Sequence, residues 1–481
     1  MLNGLRKYAL DKMIFCLMPW VFLQKIPAQP MAVGGRHSLL ICNDQRVAAF
    51  GYNGFGQLGI GNLTEQHTPT TVLQVNQVTH VAGGLFHSLF VKNDGTVWSV
   101  GRNATGALGD GSYADRTIPT QVMGLSEVQQ VSGGSEHSLF LKKDGTVWAC
   151  GLNSSGQLGD GSTTSKNVAV KIEGLDSVVR VEAGAEYSLF LKENGSVWAC
   201  GYNGFGQLGL GSRVAKTRPV PIPGMTEVVD VSAGEWHSLF VKKDGSVWAC
   251  GRNQTGQLGI STLMDQNTPV QINGLPFILQ VSAGGIHSAF VSSDGEVWTC
   301  GLNSGGNNDG QLGDGTNQDR LIPVRVHASW DKANIIQAAC TREHTLLLDD
   351  QGTLWACGRN NYGQLGIGSF TTRNFLLPEK SLLPCQLRIV SGNLPDSQYR
   401  ELSYYPNPTQ STLHISSWPC FVHASIVLYN SMGYLVWTSS GISGCNSIIE
   451  LPKIPDGVYY VSVMDQNGWM TRHQPIVVLT F

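Results

Sequence analysis

The sequence has little charge, and the charges that it has nearly cancel. Asp, Glu, Lys and Arg make up 14% of its 481 residues, and the formal net charge at pH 7 is −3. Nucleic-acid binding depends on clustered Lys and Arg, so this balance argues against a nucleic-acid partner. Hydrophobic residues make up 42% of the chain, which argues against disorder.

The sequence also lacks the short motifs of common enzyme chemistry. No HExxH, CxxC, phosphate-binding P-loop or Gly-x-Ser-x-Gly motif occurs. One insertion gathers Asn307, Asn308, Asp309 and Asp314, but it lacks the acidic spacing of a calcium loop. We therefore predict no enzyme activity, no cofactor and no metal site.

Long hydrophobic runs are absent, and the longest apolar stretch lies near the N-terminus. Arg6, Lys7 and Lys12 precede eleven residues from Met13 to Leu23, and Ile26-Pro27-Ala28 follows. A membrane-spanning helix needs about 20 residues, whereas this order of positive, apolar and small residues is typical of a secretory signal peptide. A buried N-terminal helix is the alternative. We predict a signal peptide over 1–28, an exported chain and no transmembrane segment.

Glycine, by contrast, is abundant, with 58 residues, and much of it belongs to a unit that occurs seven times. Each unit runs through GG or AG, a segment like HSLF, a turn, a segment like VWACG, an Asn and a segment like GQLG. The interval is 50 residues for five steps and 57 for the last. The aligned positions are His37, His87, His137, Tyr187, His237, His287 and His344. A fixed period of this size indicates a stacked-repeat architecture.

Each unit is expected to form four short β-strands. In SLFLKKDGTVWAC, the dipeptide Asp144-Gly145 is a hairpin-turn signal between two strands. The strands are apolar at consecutive positions, so both faces must be buried, as in small sheets stacked around an axis. Four strands in each of seven units predict an all-β, seven-bladed β-propeller over residues 29–392.

The two ends of the repeat region suggest how the ring closes. We expect the first unit to lack its opening strands, because the mature chain would begin only a few residues before Gly34. After the last unit, Phe375–Lys380 is similar to an opening strand, and Gln386–Gly392 is similar to Val178–Gly184. We expect this tail to complete the first blade and to remove an exposed sheet edge.

These units resemble the regulator of chromosome condensation repeat family. The resemblance covers residues 31–392, and it is most specific over HSLFLKKDGTVWACGLNSSGQLGDGS at 137–162. It implies a seven-bladed propeller. Within that family, the founding eukaryotic member exchanges guanine nucleotides on a small GTPase, and a bacterial member inhibits β-lactamase.

The C-terminal residues do not follow the pattern of the repeated unit. After a linker at 393–403, the segment 404–481 contains Tyr405-Pro406-Asn407-Pro408, several short strand patterns and DGVYYVSV. The strand spacing predicts a small β-sandwich. The segment resembles the C-terminal sorting domain of type IX secretion substrates, which directs passage across the outer membrane through the secretion machinery. Its lack of a basic residue near the terminus departs from that family, and an adhesion sandwich is the alternative.

The repeated polar residues are interpreted as scaffold. The aligned His lie one to a blade, so we expect hydrogen-bonded blade residues and not metal ligands. One Cys per blade, as at Cys150, would be too far from its neighbour to bridge and is expected to pack as a small hydrophobe. Cys420 and Cys445 are the one pair considered for a disulfide.

Function is then expected where the repeat varies. The residue before each aligned position should form a ring at one end of the propeller, and it is the predicted partner-binding site: Arg36, Phe86, Glu136, Glu186, Trp236, Ile286 and Glu343. A second variable set lies in a connecting loop: Tyr52, Arg102, Leu152, Tyr202, Arg252, Leu302 and Arg359. A varied, solvated rim without function is the alternative for both sets.

Three functions compete for this ring. The first is a secreted or cell-surface scaffold that binds an unknown protein or glycan outside the cell. The second is guanine-nucleotide exchange on a small GTPase, which export would separate from its substrate. The third is a hydrolase that uses Glu136, Glu186 and Glu343 as an acidic ring on the axis, without an evident base or nucleophile.

Overall fold

The computed structural model describes residues 30–304, 310–326 and 334–378, and five strands between 401 and 478. Side chains are described within those ranges as far as residue 373. Every regular element over these residues is a β-strand, and the predicted seven-bladed propeller is confirmed. The predicted signal peptide at 1–28 and the insertion residues Asn307, Asn308 and Asp309 lie outside the described residues.

Each blade is a sheet of four antiparallel strands that follow one another in the chain. The strands of the first four blades are β1 (Met31–Val33), β2 (His37–Ile41), β3 (Val47–Gly51), β4 (Gln66–Thr71); β5 (Val78–Gly83), β6 (His87–Lys92), β7 (Val97–Gly101), β8 (Arg116–Gln121); β9 (Val128–Gly133), β10 (His137–Lys142), β11 (Val147–Gly151), β12 (Lys166–Lys171); β13 (Val178–Ala183), β14 (Tyr187–Lys192), β15 (Val197–Gly201) and β16 (Lys216–Pro221). Those of the last three blades are β17 (Val228–Ala233), β18 (His237–Lys242), β19 (Val247–Gly251), β20 (Gln266–Ile272); β21 (Ile278–Ala283), β22 (His287–Ser292), β23 (Val297–Gly301), β24 (Arg320–Arg325); β25 (Ile335–Cys340), β26 (His344–Asp349), β27 (Leu354–Gly358) and β28 (Arg373–Pro378). The first strand of each blade lines the central axis.

The hairpin between the second and third strands forms as its turn residues predict. In blade 3, β10 and β11 pair with Phe140 opposite Trp148. Gly145 has a φ of 77°, a left-handed conformation that glycine adopts without steric cost. The Asp144 carboxylate accepts hydrogen bonds from the backbone N–H of Thr146 at 3.0 Å and from its hydroxyl at 2.6 Å. The turn is therefore fixed by two residues of the repeat.

Neighbouring blades share their hydrophobic cores. The second strand of each blade has its central side chains fully buried, and Phe190 of blade 4 packs in one cluster with Leu139 and Leu158 of blade 3. Removing apolar surface from water on both faces of each sheet stabilises the stack. This explains why the strands are apolar at consecutive positions.

Ring closure differs from the expectation for the C-terminal tail. The axial strand of blade 1 is β1, which pairs with β2 and comes from the N-terminal side of the chain, so the idea that the first unit lacks this strand is wrong. Residues 373–378 form the outer strand of blade 7. Residues 386–392 lie outside the described residues.

Over the residues that the structure describes, side-chain contacts join blade 7 to blade 1, and each of these blades has four strands of its own. Gln337 Nε2 donates to the Met31 carbonyl at 2.8 Å, and Ser38 Oγ donates to the Gln364 carbonyl at 2.9 Å. Leu40 and Phe50 of blade 1 share a buried cluster with residues of blade 7. The same kinds of contact join the other blades, so closure repeats the general blade-to-blade packing.

Cysteine chemistry is partly as expected. The six described cysteines Cys150, Cys200, Cys250, Cys300, Cys340 and Cys357 are free and buried. Cys42, which the sequence analysis did not consider, is disulfide-bonded to a partner whose side chain lies outside the described residues. The limitation of disulfides to Cys420 and Cys445 was therefore wrong, and the side chains of that pair also lie outside the described part.

Five further strands form one sheet in the C-terminal region. They are β29 (Glu401–Tyr405), β30 (Thr412–Asn430), β31 (Leu435–Glu450), β32 (Gly457–Met464) and β33 (Gln474–Val478). Strand β30 pairs with β29, β31 and β32, and β33 pairs with β32. The β-sandwich and the boundaries at 392/393 and 403/404 stay predictions.

Candidate functional site

The aligned histidines form a buried layer that links all seven blades. His137 Nε2 lies 3.1 Å from Ser188 Oγ in the next blade, and that hydroxyl donates to the Gln157 carbonyl at 2.7 Å. Since the serine proton is used in this way, the histidine donates through Nε2. Equivalent bonds join Ser or Thr to His37, His87, His237, His287 and His344. The prediction that these are hydrogen-bonded blade residues is confirmed.

The histidine layer is uncharged at neutral pH. Burial lowers the pKa of His137 to about 3, with a further lowering by His87, and burial lowers the pKa of His87 to about 4. At the exceptional position, the Tyr187 hydroxyl donates to the His237 carbonyl at 2.6 Å and accepts from Ser238 Oγ at 3.1 Å. The tyrosine thus keeps the blade-to-blade link without an imidazole.

The two variable sets lie together at one end of the propeller, which we call the variable end. Each predicted partner-binding residue precedes the second strand of its blade, and its carbonyl accepts a hydrogen bond from the backbone N–H of the residue that follows the third strand. These bonds are 2.7–2.9 Å long in all seven blades, as between Arg252 and Trp236. All fourteen side chains are half-buried. The sequence analysis predicted two separate sets, whereas the pairing of the second and third strands places both sets on one surface.

Four residues of blades 1 and 2 form a first aromatic cluster at this end, which we call box A. It consists of Tyr52, Phe55, Phe86 and Arg102. The Phe86 ring centroid lies 5.0 Å from that of Phe55 and 6.0 Å from that of Tyr52. The Arg102 guanidinium lies 5.3 Å from the Phe55 centroid, within the range of cation–π contact. Box A thus spans the boundary between two blades.

Blades 4 and 5 contain a second cluster at the corresponding positions, with Trp in place of one Phe, which we call box B. It consists of Tyr202, Phe205, Trp236 and Arg252. The Trp236 ring lies 5.4 Å from Tyr202 and 5.8 Å from Phe205, and the Arg252 guanidinium lies 5.6 Å from the Phe205 centroid. The large apolar area and the polar tips of such residues are typical of protein-binding hot spots.

The remaining members of the predicted ring do not converge on one point. Glu136 pairs with Arg102 at 2.6 Å, Glu343 pairs with Arg359 at 2.8 Å, and Glu186 accepts from Ser155 Oγ at 2.9 Å. Glu136 and Glu186 are thus engaged by the preceding blade, and Glu343 is engaged within its own blade. Within the described ranges, no three His, Cys, Asp or Glu side chains are grouped as metal ligands.

The mouth of the central axis carries an ion pair that the sequence analysis missed. Glu235 Oε2 lies 3.7 Å from Arg342 Nε, and the pair passes over Gly285, where an added Cβ would lie 2.9 Å from both side chains. Burial raises the pKa of the Glu235 carboxyl, and Arg342 opposes that shift. The available signal was the varied residue two positions before each aligned histidine.

A second missed cluster lies between the axial strands of blades 4 and 5. Arg180 Nη1 is 2.5 Å from Asp230 Oδ1, and Arg180 Nε donates to Glu182 Oε1 at 3.0 Å. Burial raises the pKa of both carboxyls, while the Arg180 charge acts in the opposite direction. Asp230 also accepts from the Val281 backbone at 3.0 Å, so the cluster joins three blades and is interpreted as structural.

Comparison with known families agrees with this architecture. A family description of the RCC1-like domain matches residues 126–404. The chain belongs to the RCC1-like domain family. Descriptions of the regulator of chromosome condensation (RCC1) repeat match this RCC1-like chain at 44–91, 94–141 and 78–107. The family resemblance expected from the repeated units is confirmed.

Individual relatives share short segments with the RCC1-like propeller. Protein RCC2 of Mus musculus is 45% identical over 67 residues, which cover 14% of this chain and 13% of RCC2. The ultraviolet-B receptor UVR8 of Arabidopsis thaliana is 41% identical over 71 residues, which cover 15% of this chain and 16% of the receptor. The matched segments thus span less than a fifth of either relative.

Solved structures show the same fold. Human WBSCR16 superposes with a TM-score of 0.62 at 25% identity, and the match covers 69% of this chain and 93% of that one. Yeast RCC1 (Prp20), crystallised with Kap60, gives a TM-score of 0.62 at 20% identity over 84% of this chain and 92% of that one. The second likeness supports the fold alone.

The C-terminal region of the RCC1-like chain matches the secretion system C-terminal sorting domain over residues 403–478. This domain indicates secretion or location on the outer cell surface, as the sequence predicted, and implies contact with the secretion machinery. In the described part of the chain, no helix is long and apolar enough to span a bilayer.

Proposed function

We propose that this RCC1-like protein is an exported binding scaffold, without catalytic activity, that engages an extracellular protein through its variable end. The observation that carries the proposal is the pair of half-buried aromatic boxes on the same end of an otherwise repetitive propeller. Rigid aromatic side chains bury large areas at low entropic cost when a partner covers them. The buried histidine layer directly behind them holds the blade positions.

The other two candidate functions have less support. Nucleotide exchange on a small GTPase requires an intracellular partner, whereas the sorting domain indicates a location outside. A hydrolase would require carboxylates that converge on a substrate, whereas Glu136, Glu186 and Glu343 are engaged by different neighbours. A glycan partner would use the same aromatic rings, and the experiment below includes it.

The test replaces, in each box, the aromatic residue that belongs to the predicted partner-binding ring. The full-length protein and the Phe86→Ala/Trp236→Ala variant are used to capture surface and secreted proteins, and the captured partner is then purified for affinity measurement. We expect the double substitution to weaken binding by about 100-fold, because two hot-spot aromatics are lost. The thermal midpoint should change little, since both side chains are half-buried.

Phe277→Ala is the matched control. Phe277 is 48% exposed and lies at the opposite end, where its carbonyl accepts from the Ser293 backbone beside a hairpin turn. This variant should bind like the unaltered protein. Equal affinity of the double variant and the control would contradict the proposal, and binding of a purified glycan through Trp236 would replace the protein partner with a carbohydrate.

A further inference from the structure

Boxes A and B are built from a duplicated sequence. The segment GYNGFGQLG occurs at 51–59 and again at 201–209, in blades 1 and 4. Each copy supplies a Tyr and a Phe, and the next blade supplies the third ring and the arginine. The rings and the arginine of box B occupy the positions of those in box A, with Trp236 in place of Phe86, while Tyr52 of box A has an additional contact with Tyr362 at a centroid distance of 5.1 Å. The charged residues that flank the two boxes also differ.

The arginine of box A is already neutralised. Arg102 Nη1 lies 2.6 Å from Glu136 Oε1 of the next blade. In the corresponding position beside box B, the next blade supplies Ile286, which has no charge. The next blade therefore supplies a carboxylate partner to Arg102, whereas it supplies none to Arg252.

Arg252 has unused hydrogen-bonding capacity. Its Nη2 donates to Gln254 Oε1 at 3.2 Å, while its Nε is buried and has no acceptor among the described residues. A buried donor without an acceptor is unfavourable, because it has lost its hydrogen bond to water without replacement. A carboxylate, which binds a guanidinium through two oxygens, would supply the acceptors that these neighbours do not.

Other charged groups near box B do not remove this asymmetry. Arg252 lies close enough to Glu235 to oppose the rise that burial causes in the pKa of that carboxyl. The ion pair of Glu235, however, is with Arg342. Glu186 is held by Ser155. Near box A, the remaining arginine is Arg36, which donates to the Tyr362 hydroxyl at 3.3 Å and lies over that ring.

We propose that box B docks a protein segment in which a carboxylate side chain lies beside an aromatic or aliphatic side chain. The apolar side chain packs on Trp236 and Tyr202, and the carboxylate pairs with the Arg252 guanidinium. The surrounding rings exclude water and so strengthen this charged hydrogen bond. The inference rests on the proposed binding function and names the chemistry of the partner.

The experiment uses the immobilised full-length protein to select from a phage library of random linear peptides. We expect the selected peptides to share Asp or Glu next to an apolar residue. The probe for calorimetry is the synthetic form of the most enriched peptide. Arg252→Gln should weaken its binding at least about tenfold, and replacing its acidic residue by the amide should give a similar loss. The two losses should not add, because both remove one interaction.

Two arginine variants serve as comparisons. Arg102→Gln should cause a smaller loss than Arg252→Gln, since Glu136 already occupies that guanidinium. Arg325→Gln, in an outer strand and paired with Glu296, should cause none. Enriched peptides without an acidic residue, or equal losses for Arg252→Gln and Arg325→Gln, would overturn the assignment of box B and leave the scaffold function standing. If no selected peptide depends on Phe86 and Trp236, the scaffold function fails together with this inference.

Discussion

Trp236 and His237 are adjacent in the chain, but they belong to two regions of the propeller with different constraints. His237 is fully buried and bonded to Ser288 of the next blade, while Trp236 is half-buried among rings at the variable end. The histidine layer repeats in every blade except at Tyr187, whereas the residue in front of it is different in most blades. Adjacent residues thus differ in their surroundings, since His237 joins two blades and Trp236 belongs to the surface for which we propose partner binding.

Acidification should cause the largest loss of stability among these predictions, because it protonates the histidines of the buried layer once the chain unfolds. The pKa values of His37, His137, His237, His287 and His344 are about 3 in the folded protein, against 6.5 for an unperturbed histidine. The unfolded chain therefore binds more protons below pH 6.5, and stability falls as pH decreases toward 4. Each histidine can contribute up to about 1.4 kcal/mol per pH unit.

Urea unfolding between pH 8 and pH 5 measures this dependence. The control is His137→Tyr, which copies the natural exchange at Tyr187 and should flatten the pH dependence by removing one titrating group. A free energy of unfolding that is constant over this interval would show that the layer is not the source of acid sensitivity.

Single substitutions in the two regions should differ in how much stability they remove. His137→Ala removes a buried ring, leaves Ser188 Oγ without its donor and opens a cavity, so we expect a loss of about 3 kcal/mol. The neighbouring substitution Glu136→Ala should lower the free energy of unfolding by about 1 kcal/mol or less, because Glu136 is half-buried. Equal losses in chemical denaturation would mean that the variable end also stabilises the fold.

The smallest effect is expected at the mouth of the axis. Glu235→Gln removes an ion pair at 3.7 Å whose Arg342 side chain is 48% exposed, and such pairs contribute about 0–1 kcal/mol. The thermal midpoint should shift by only a few degrees at most. A larger shift would show that the axial ion pair stabilises the fold substantially, which would contradict this prediction.

The repeat period was sufficient to predict the propeller and the role of its buried polar residues. Spacing along the chain identifies equivalent positions, so one interpretation covered the six aligned histidines, such as His137, and another covered the five aligned cysteines, such as Cys150. It also placed Phe86 and Trp236 at one end. The partner-binding role of that ring stays a prediction.

Contacts between blades were harder to predict, because they depend on how each loop reaches its neighbour. The ion pair of Glu235 with Arg342 joins equivalent positions of blades 5 and 7 that are over a hundred residues apart, and the spacing alone does not show which of these side chains meet at the mouth of the axis. The disulfide bond of Cys42 was also missed. The axial strand Met31–Val33 was missed for a different reason, because its three residues are too few to show a strand pattern, and only their pairing with His37–Ile41 identifies it.

The contiguity of the blades has a consequence for processing after export. The last propeller strand ends at Pro378, and the matched sorting domain begins at residue 403. A peptidase that cuts between these positions would therefore detach the sorting domain without removing any blade strand that the structure describes, and the liberated toroid would keep the Gln337 and Ser38 hydrogen bonds that join its seventh and first sheets.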